Sequence, residues 1–237
     1  MRKVKNCLII GASGGIGTEI SKKISELNCN LFLVGQNKKK LIKLKGEILE
    51  KNTIIKIEVE TVDLTNDQSI KNVIKKIRKK FGVIDILINT AGLFMIKSLA
   101  NSSIEEFDNS FKINVRSPFI FCKEFSKDMK KNKWGRIINI GSSSSYAGFK
   151  NGTVYCSTKH SLLGLSRALF TELKEFGIRT YCISPGSAQT EMGKLSKEQK
   201  FETFLEPKEI AEYTAFVIKF NKQLISEEIR LNRINIE

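Results

Sequence analysis

The sequence predicts a doubly wound α/β fold: a parallel sheet of about seven strands with helices on both faces. Three observations lead there. Short apolar, β-rich runs alternate with longer amphipathic ones along the whole chain. Two of the short runs, Leu8–Ile10 and Ile84–Ile88, are close to continuously apolar, as strands buried on both faces must be. A cluster of glycines stands directly behind the first run, where a strand would turn into a helix.

Taken in order, Val4–Ile10 reads as a strand and Gly15–Leu27 as a helix. Asn30–Gly35 (strand) and Lys38–Lys51 (helix) repeat the pattern, as do Ile54–Val62 (strand) and Asp67–Phe81 (helix). Ile84–Asn89 is a fourth strand. A long helical region follows, about Ile104–Lys131, with Pro118 inside it. Arg136–Gly141 is a strand, Thr153–Phe176 a helix and Ile178–Ser184 a strand. Pro207–Phe220 is a helix with proline in its first turn, and Glu228–Leu231 is a last short strand. Strands separated by helices require right-handed crossovers and therefore a parallel sheet. No repeat, proline-rich linker or composition shift divides the chain, so one domain over residues 1–237 is expected.

The charge is uneven. Residues 1–160 carry 29 basic and 14 acidic groups, while residues 161–237 carry 11 of each, so the net +15 lies entirely in the first part. An excess of this kind suits an anionic partner, whether nucleic acid, an acidic membrane surface or a phosphorylated small molecule. The 32 lysines against 8 arginines equally suit compositional drift. With 41% hydrophobic residues the chain is not a disordered one. No apolar run approaches the roughly 18–20 residues that span a bilayer, so no membrane role is expected. The basic start followed by Cys7–Ile16 resembles a signal peptide, but Gly11, Gly14 and Gly15 suit a turn better than an apolar helix. Cysteines 7, 29, 122, 156 and 182 are odd in number and scattered, which reads as reduced thiols in a cytoplasmic protein. With a single histidine, His160, no metal site is expected.

The glycine cluster is Gly11-Ala12-Ser13-Gly14-Gly15-Ile16-Gly17. A tight strand-to-helix turn lets backbone N–H groups and the positive end of a helix meet a diphosphate. The second strand then ends Gly35-Gln36-Asn37-Lys38-Lys39-Lys40, with no carboxylate to hold an adenosine 2′-hydroxyl and with lysines that attract a 2′-phosphate. NADP(H) is therefore favoured, with NAD(H) as the alternative.

Tyr155 and Lys159 stand four residues apart, on one face of a helix. A free tyrosine has a pKa of about 10, and a desolvated ammonium one turn away is a source of phenolate stabilisation. Thirteen residues before the tyrosine, at the end of a strand, Ser142 offers a hydroxyl where open α/β sheets bind ligands.

These motifs, in this order, resemble the short-chain dehydrogenase/reductase family in its compact form. They are Gly11-x-x-x-Gly15-x-Gly17, Asp63-Leu64, Asn89-Thr90-Ala91-Gly92, Asn114, Ser142, Tyr155-x-x-x-Lys159, and Pro185-Gly186 with Thr190. The resemblance extends over about residues 4–220 and includes 3-oxoacyl-carrier-protein reductase-like members. It implies a doubly wound (Rossmann) fold and hydride transfer between a nicotinamide cofactor and a carbonyl or secondary alcohol. Tyr155 would be the general acid or base, Lys159 would bind the nicotinamide ribose and lower the tyrosine pKa, and Ser142 would orient the substrate oxygen. Asn114 would hold a relay water. Gly11, Ser13, Gly15, Ile16 and Gly17 would bind the diphosphate side. Gln36, Asn37, Lys38, Asp63 and Leu64 would take the adenosine end. Asn89, Ala91 and Gly92 would line the cleft, and Pro185, Gly186 and Thr190 would hold the carboxamide side.

Three departures stand out. Ile10 replaces the usual threonine before the first glycine, Thr90 replaces the second asparagine of the fourth-strand motif, and the end Glu227–Ile234 lacks the usual glycines. Gly193–Leu205 falls where the family places a substrate lid. It is short and polar, with Met192, Leu195, Phe201 and Phe204 as apolar points. Surplus apolar residues on the helix after Thr153 (Leu163 and Phe170) suggest a homodimer or homotetramer. The expected partner is a small carbonyl or alcohol substrate, free or carrier-bound, and no nucleic acid. The competing reading, motivated by the charge, is a catalytically idle regulatory or nucleic-acid-binding protein on the same fold.

Overall fold

The computed structural model describes residues 4–196 and 198–234. Seven parallel strands form one sheet in the order β3-β2-β1-β4-β5-β6-β7. They are β1 (Asn6–Ile10), β2 (Asn30–Gly35), β3 (Ile57–Thr61), β4 (Ile86–Asn89), β5 (Gly135–Ile140), β6 (Ile178–Pro185) and β7 (Glu228–Leu231). The order reverses between β1 and β4, and the adjacent C-terminal strand ends leave a crevice there, which is where such sheets bind ligands.

Alternation along the strands builds two cores. Cys7, Ile9, Leu31 and Leu33 face the helices α1 (Gly15–Ser25), α2 (Lys38–Leu49) and α7 (Pro207–Lys219). Leu8, Ile10, Phe32 and Val34 face α3 (Asp67–Phe81), α5 (Ser117–Asn132) and α6 (Thr153–Leu173). Most elements begin and end within three residues of the sequence reading. The exception is instructive. The long region after β4 is α4 (Ile104–Phe111), a π turn over Lys112–Arg116, and then α5. Pro118, in the first turn of α5, has no N–H to give the carbonyl of Asn114 four residues back, so a regular helix cannot run through. The widened turn carries Asn114, which is wholly buried.

Candidate active site

A cleft of about 990 Å³ opens along the C-terminal ends of the strands. On one side it is lined by the turn between β1 and α1. Gly11 sits at φ +90°, and its amide and that of Ala12 both donate to the Val34 carbonyl (2.8 and 2.9 Å). A Cβ on Gly17 would lie 2.2 Å from the Gly11 carbonyl oxygen, so the first turn of α1 can pack on this loop only as glycine. Gly14, at the N-cap of α1, has no side chain to satisfy the free amides, and the first turn contains no acid. This is an electropositive cradle of backbone N–H groups, and it fits a dinucleotide diphosphate.

Two of the sequence departures meet here. The Thr90 hydroxyl donates to the Ile10 carbonyl (2.9 Å), beside the Thr90 and Ala91 amides on the same oxygen. The hydroxyl missing at position 10 is thus supplied from position 90, and it ties β1 to β4 at the crevice.

Gly11, Ser13, Gly15, Ile16, Gly17, Gln36, Leu64, Ala91, Gly92, Ser142, Tyr155, Lys159, Pro185, Gly186 and Thr190 all line the cleft. Other expected residues lie off it. Asn37 caps α2 by accepting from the Lys40 amide (3.0 Å), and Lys38 is exposed; of the three lysines it is Lys40 that lines the cleft. Asp63 is exposed and accepts from the Thr65 amide and hydroxyl (2.9 and 2.6 Å). Asn89 is buried beneath the floor, where it donates to Asn139 (2.8 Å) and joins β4 to β5. Some of the basic groups elsewhere are paired with carboxylates. Lys76 pairs with Glu60, Lys80 with Glu58, and Arg78 with Glu124 and Asp128.

The other side is built from side chains. Tyr155 and Lys159 project from α6, Ser142 from the turn after β5, and Asn114 from the π turn, where it meets α6 at Thr158. Lys159 is buried, and its ammonium donates to the Ile140 carbonyl (3.0 Å). Burial pushes it down to about 8. Burial likewise pushes the Tyr155 phenol up to about 12, with a hydrogen bond to Ser142 acting in the opposite direction. Burial is the largest influence on the phenol, and the ammonium lies 5.7 Å from the ring centre. The Asn114 amide accepts from Leu93 N–H (2.7 Å) and donates to Leu93 C=O and to the Thr158 hydroxyl (both 2.9 Å). That locks the segment after β4 against α6. Gly92 passes through the gap, where a Cβ would lie 3.6 Å from Asn114 Oδ1 and 3.7 Å from Lys159 Nζ.

Around the phenol the sequence reading missed an aromatic wall. The Phe94 ring meets Tyr155 edge-on at 4.7 Å, and Phe149 lies 6.2 Å from Phe94 and 6.5 Å from Tyr155. Leu93, Ile96, Met192 and Leu195 extend this surface toward the cleft mouth. Of the lid's apolar points, Met192 and Leu195 face the cleft, whereas Phe204 is buried with Phe201 packed on it at 5.3 Å. Loop phenylalanines have no periodic pattern to mark them.

The structure resembles those of known enzymes throughout. An alcohol dehydrogenase from the archaeon Thermococcus sibiricus, solved with 5-hydroxy-NADP, superposes with a TM-score of 0.88 at 27% identity, covering 98% of this chain and 97% of that one. The 3-oxoacyl-[acyl-carrier-protein] reductase of Rickettsia bellii is 33% identical over 222 residues, 90% of this chain and 88% of that protein. The Rickettsia typhi protein of the same name is 35% identical over 197 residues, 83% of this chain and 78% of that protein. The family model described as short chain dehydrogenase matches residues 5–200. Sequence, sheet order and cleft agree, and the chain belongs to the short-chain dehydrogenase/reductase family of NAD(P)-dependent oxidoreductases.

Proposed function

We propose that this protein reduces a carbonyl group at the expense of NADPH, with Tyr155 as the proton donor and a 3-oxoacyl thioester, carrier-bound, as the substrate. The observation that carries this reading is the convergence of Ser142, Tyr155 and Lys159, from two separate segments, on a cleft whose opposite side is a glycine cradle. When bound, the dinucleotide supplies the hydride. Its diphosphate would rest on the amides at the start of α1, its adenosine end near Gln36 and Lys40, and its nicotinamide end near Pro185, Gly186 and Thr190.

The chain's own residues manage position and proton. Ser142 orients the substrate oxygen. Tyr155, a neutral phenol at pH 7 as any tyrosine is and held further from ionisation by burial, holds the proton that an alkoxide will take. This suits reduction; oxidation would first need the phenol ionised. Lys159, at about 8, is protonated in roughly a ten-to-one ratio at pH 7, so it can give up a proton cheaply to restore Tyr155. Asn114 Oδ1 keeps one lone pair beyond its bond to Leu93, which suffices to hold a relay water. NADPH is favoured over NADH by Lys40 and by the absence of a carboxylate after β2. The apolar surface of Phe94, Phe149, Met192 and Leu195 suits an acyl chain better than a sugar, and the Rickettsia relatives carry the corresponding name. The free, buried cysteines suit the cytoplasm. Leu163, expected on an exposed second face, is instead buried within the protein, so a homodimer or homotetramer rests on the half-buried Phe170 and the exposed Phe176.

The test is Tyr155→Phe assayed by NADPH consumption with a 3-oxoacyl thioester. Turnover is expected to fall by about 10²–10⁴-fold, the range of general acid catalysis, with NADPH affinity within about twofold of the parent. Full activity in the variant would remove Tyr155 from the chemistry.

A further inference from the structure

The last strand, β7, carries two charged residues, Glu228 and Arg230, and the structure shows what they meet. Glu228, at the start of the edge strand β7, accepts a hydrogen bond from the Tyr146 hydroxyl (3.1 Å). It also takes a two-pronged contact from Arg167 on α6, through Nε (2.5 Å) and the second guanidinium nitrogen (2.9 Å). Arg230, two residues on, places its guanidinium 3.5 Å above the Tyr146 ring. Arg167 holds the Glu228 carboxyl below its usual range, so it is ionised at neutral pH.

The position of this cluster gives it meaning. Tyr146 closes the short turn that begins at Ser142. The Ser145 amide donates to the Ser142 carbonyl (2.8 Å), the Tyr146 amide to the Ser143 carbonyl (3.1 Å), and the Ser142 amide to the Ser145 hydroxyl (3.2 Å). The upstream end of the turn is fixed to the sheet by Gly141 N–H on the Ile183 carbonyl (2.7 Å). Its downstream end is fixed by Tyr146 on Glu228. Arg167 stands two turns beyond Lys159 on the helix that carries Tyr155. One carboxylate thus joins the Ser142 turn, the Tyr155 helix and the outermost strand. A bidentate guanidinium contact fixes angle as well as distance, which a point charge does not.

We propose that Glu228 is a positioning residue: through Tyr146 and Arg167 it holds the Ser142 turn in register with the Tyr155 helix. This rests on the assignment of Ser142 and Tyr155 proposed above. Glu228 touches neither substrate nor cofactor. The part of its influence that runs through Tyr146 acts on Ser142, and the loss of that part when Ser142 is absent distinguishes it from a general brace.

The experiment is a double-mutant cycle on the full chain. Glu228→Gln and Tyr146→Phe are each measured in the parent and in a Ser142→Ala background, for kcat, KM, NADPH dissociation constant and Tm. The second variant removes only a hydroxyl and covers the case in which the first folds poorly. In the parent each is expected to lower kcat about three- to tenfold, the worth of one hydrogen bond, with NADPH affinity within twofold. In Ser142→Ala each is expected to lower kcat by less than twofold, and Glu228→Asp is expected to recover part of the loss. Equal losses in both backgrounds, or unchanged kcat in the parent, would overturn the proposal while Ser142→Ala still reports loss of activity. If Ser142→Ala itself costs nothing, the assignment of Ser142 fails, and the role of Glu228 with it.

Discussion

On the β1 side of the cleft the surface offered to a ligand is mostly backbone; on the β5 and β6 side it is mostly side chain. The first is a run of glycines whose Cα positions are pressed against neighbouring carbonyls and amides, as at Gly17 on Gly11. The second is Ser142, Tyr155, Lys159, Phe94 and Phe149, brought from separate segments and held by hydrogen bonds and ring contacts. The contrast follows from what each must do. A diphosphate asks for N–H groups and close approach, which backbone provides in any glycine turn of this shape. A particular carbonyl asks for groups placed one by one. The backbone side should therefore be intolerant of added atoms, and the side-chain side should be tunable.

On cofactor binding and stability, the largest effect is expected from Gly17→Ala. The new Cβ would sit 2.2 Å from the Gly11 carbonyl and 2.7 Å from the Thr90 hydroxyl, so the loop must shift. Overpacking of this kind costs about 1–3 kcal/mol. A lower Tm together with at least a tenfold weaker NADPH dissociation constant, read by nicotinamide fluorescence, is the expected outcome; parent-like binding would mean the cradle is not rigid. Phe149→Ala probes the other side. Each buried methylene is worth about 0.8 kcal/mol. Eight-carbon 3-oxoacyl thioesters should lose about tenfold in kcat/KM and four-carbon ones less than twofold, and an equal loss for both would show that the ring does not hold the acyl chain. Lys40→Ala should act least. An exposed charge contact is worth about 1 kcal/mol or less, so NADPH should bind about fivefold more weakly in the variant with NADH unchanged, and the difference should shrink as salt is raised. A matched loss for both cofactors would place Lys40 away from the 2′-phosphate.

The two sides were also unequally legible in the sequence. Gly11, Gly15 and Gly17 announce themselves because a strand-to-helix turn restricts residue type locally, and Tyr155 with Lys159 because helical spacing sets two groups on one face. Lys38 and Lys40 could not be told apart. Both lie in the first turn of α2, and only the way that helix packs on the sheet turns Lys40 toward the cleft. Asp63 and Asn89 match the family pattern, yet the first serves its own loop and the second the inside of the sheet. The split of the helical region at Asn114 was foreshadowed by Pro118, but the burial of Asn114 between Leu93 and Thr158 was not.

The serine–tyrosine–lysine set was read through the family resemblance, whereas the strand and helix order, the doubly wound class and the glycine turn needed the chain alone. These rest on periodicity and short-range spacing, which the covalent chain imposes wherever it folds. Packing in three dimensions was needed to show that Thr90 supplies the hydroxyl absent at position 10, that Phe94 and Phe149 flank the phenol, and that Glu228 meets Tyr146 and Arg167. Those partners are separated by 55 to 82 residues or lie in loops. Their meeting depends on the packing of whole elements and on rotamers chosen in a dense interior, neither of which a local pattern encodes.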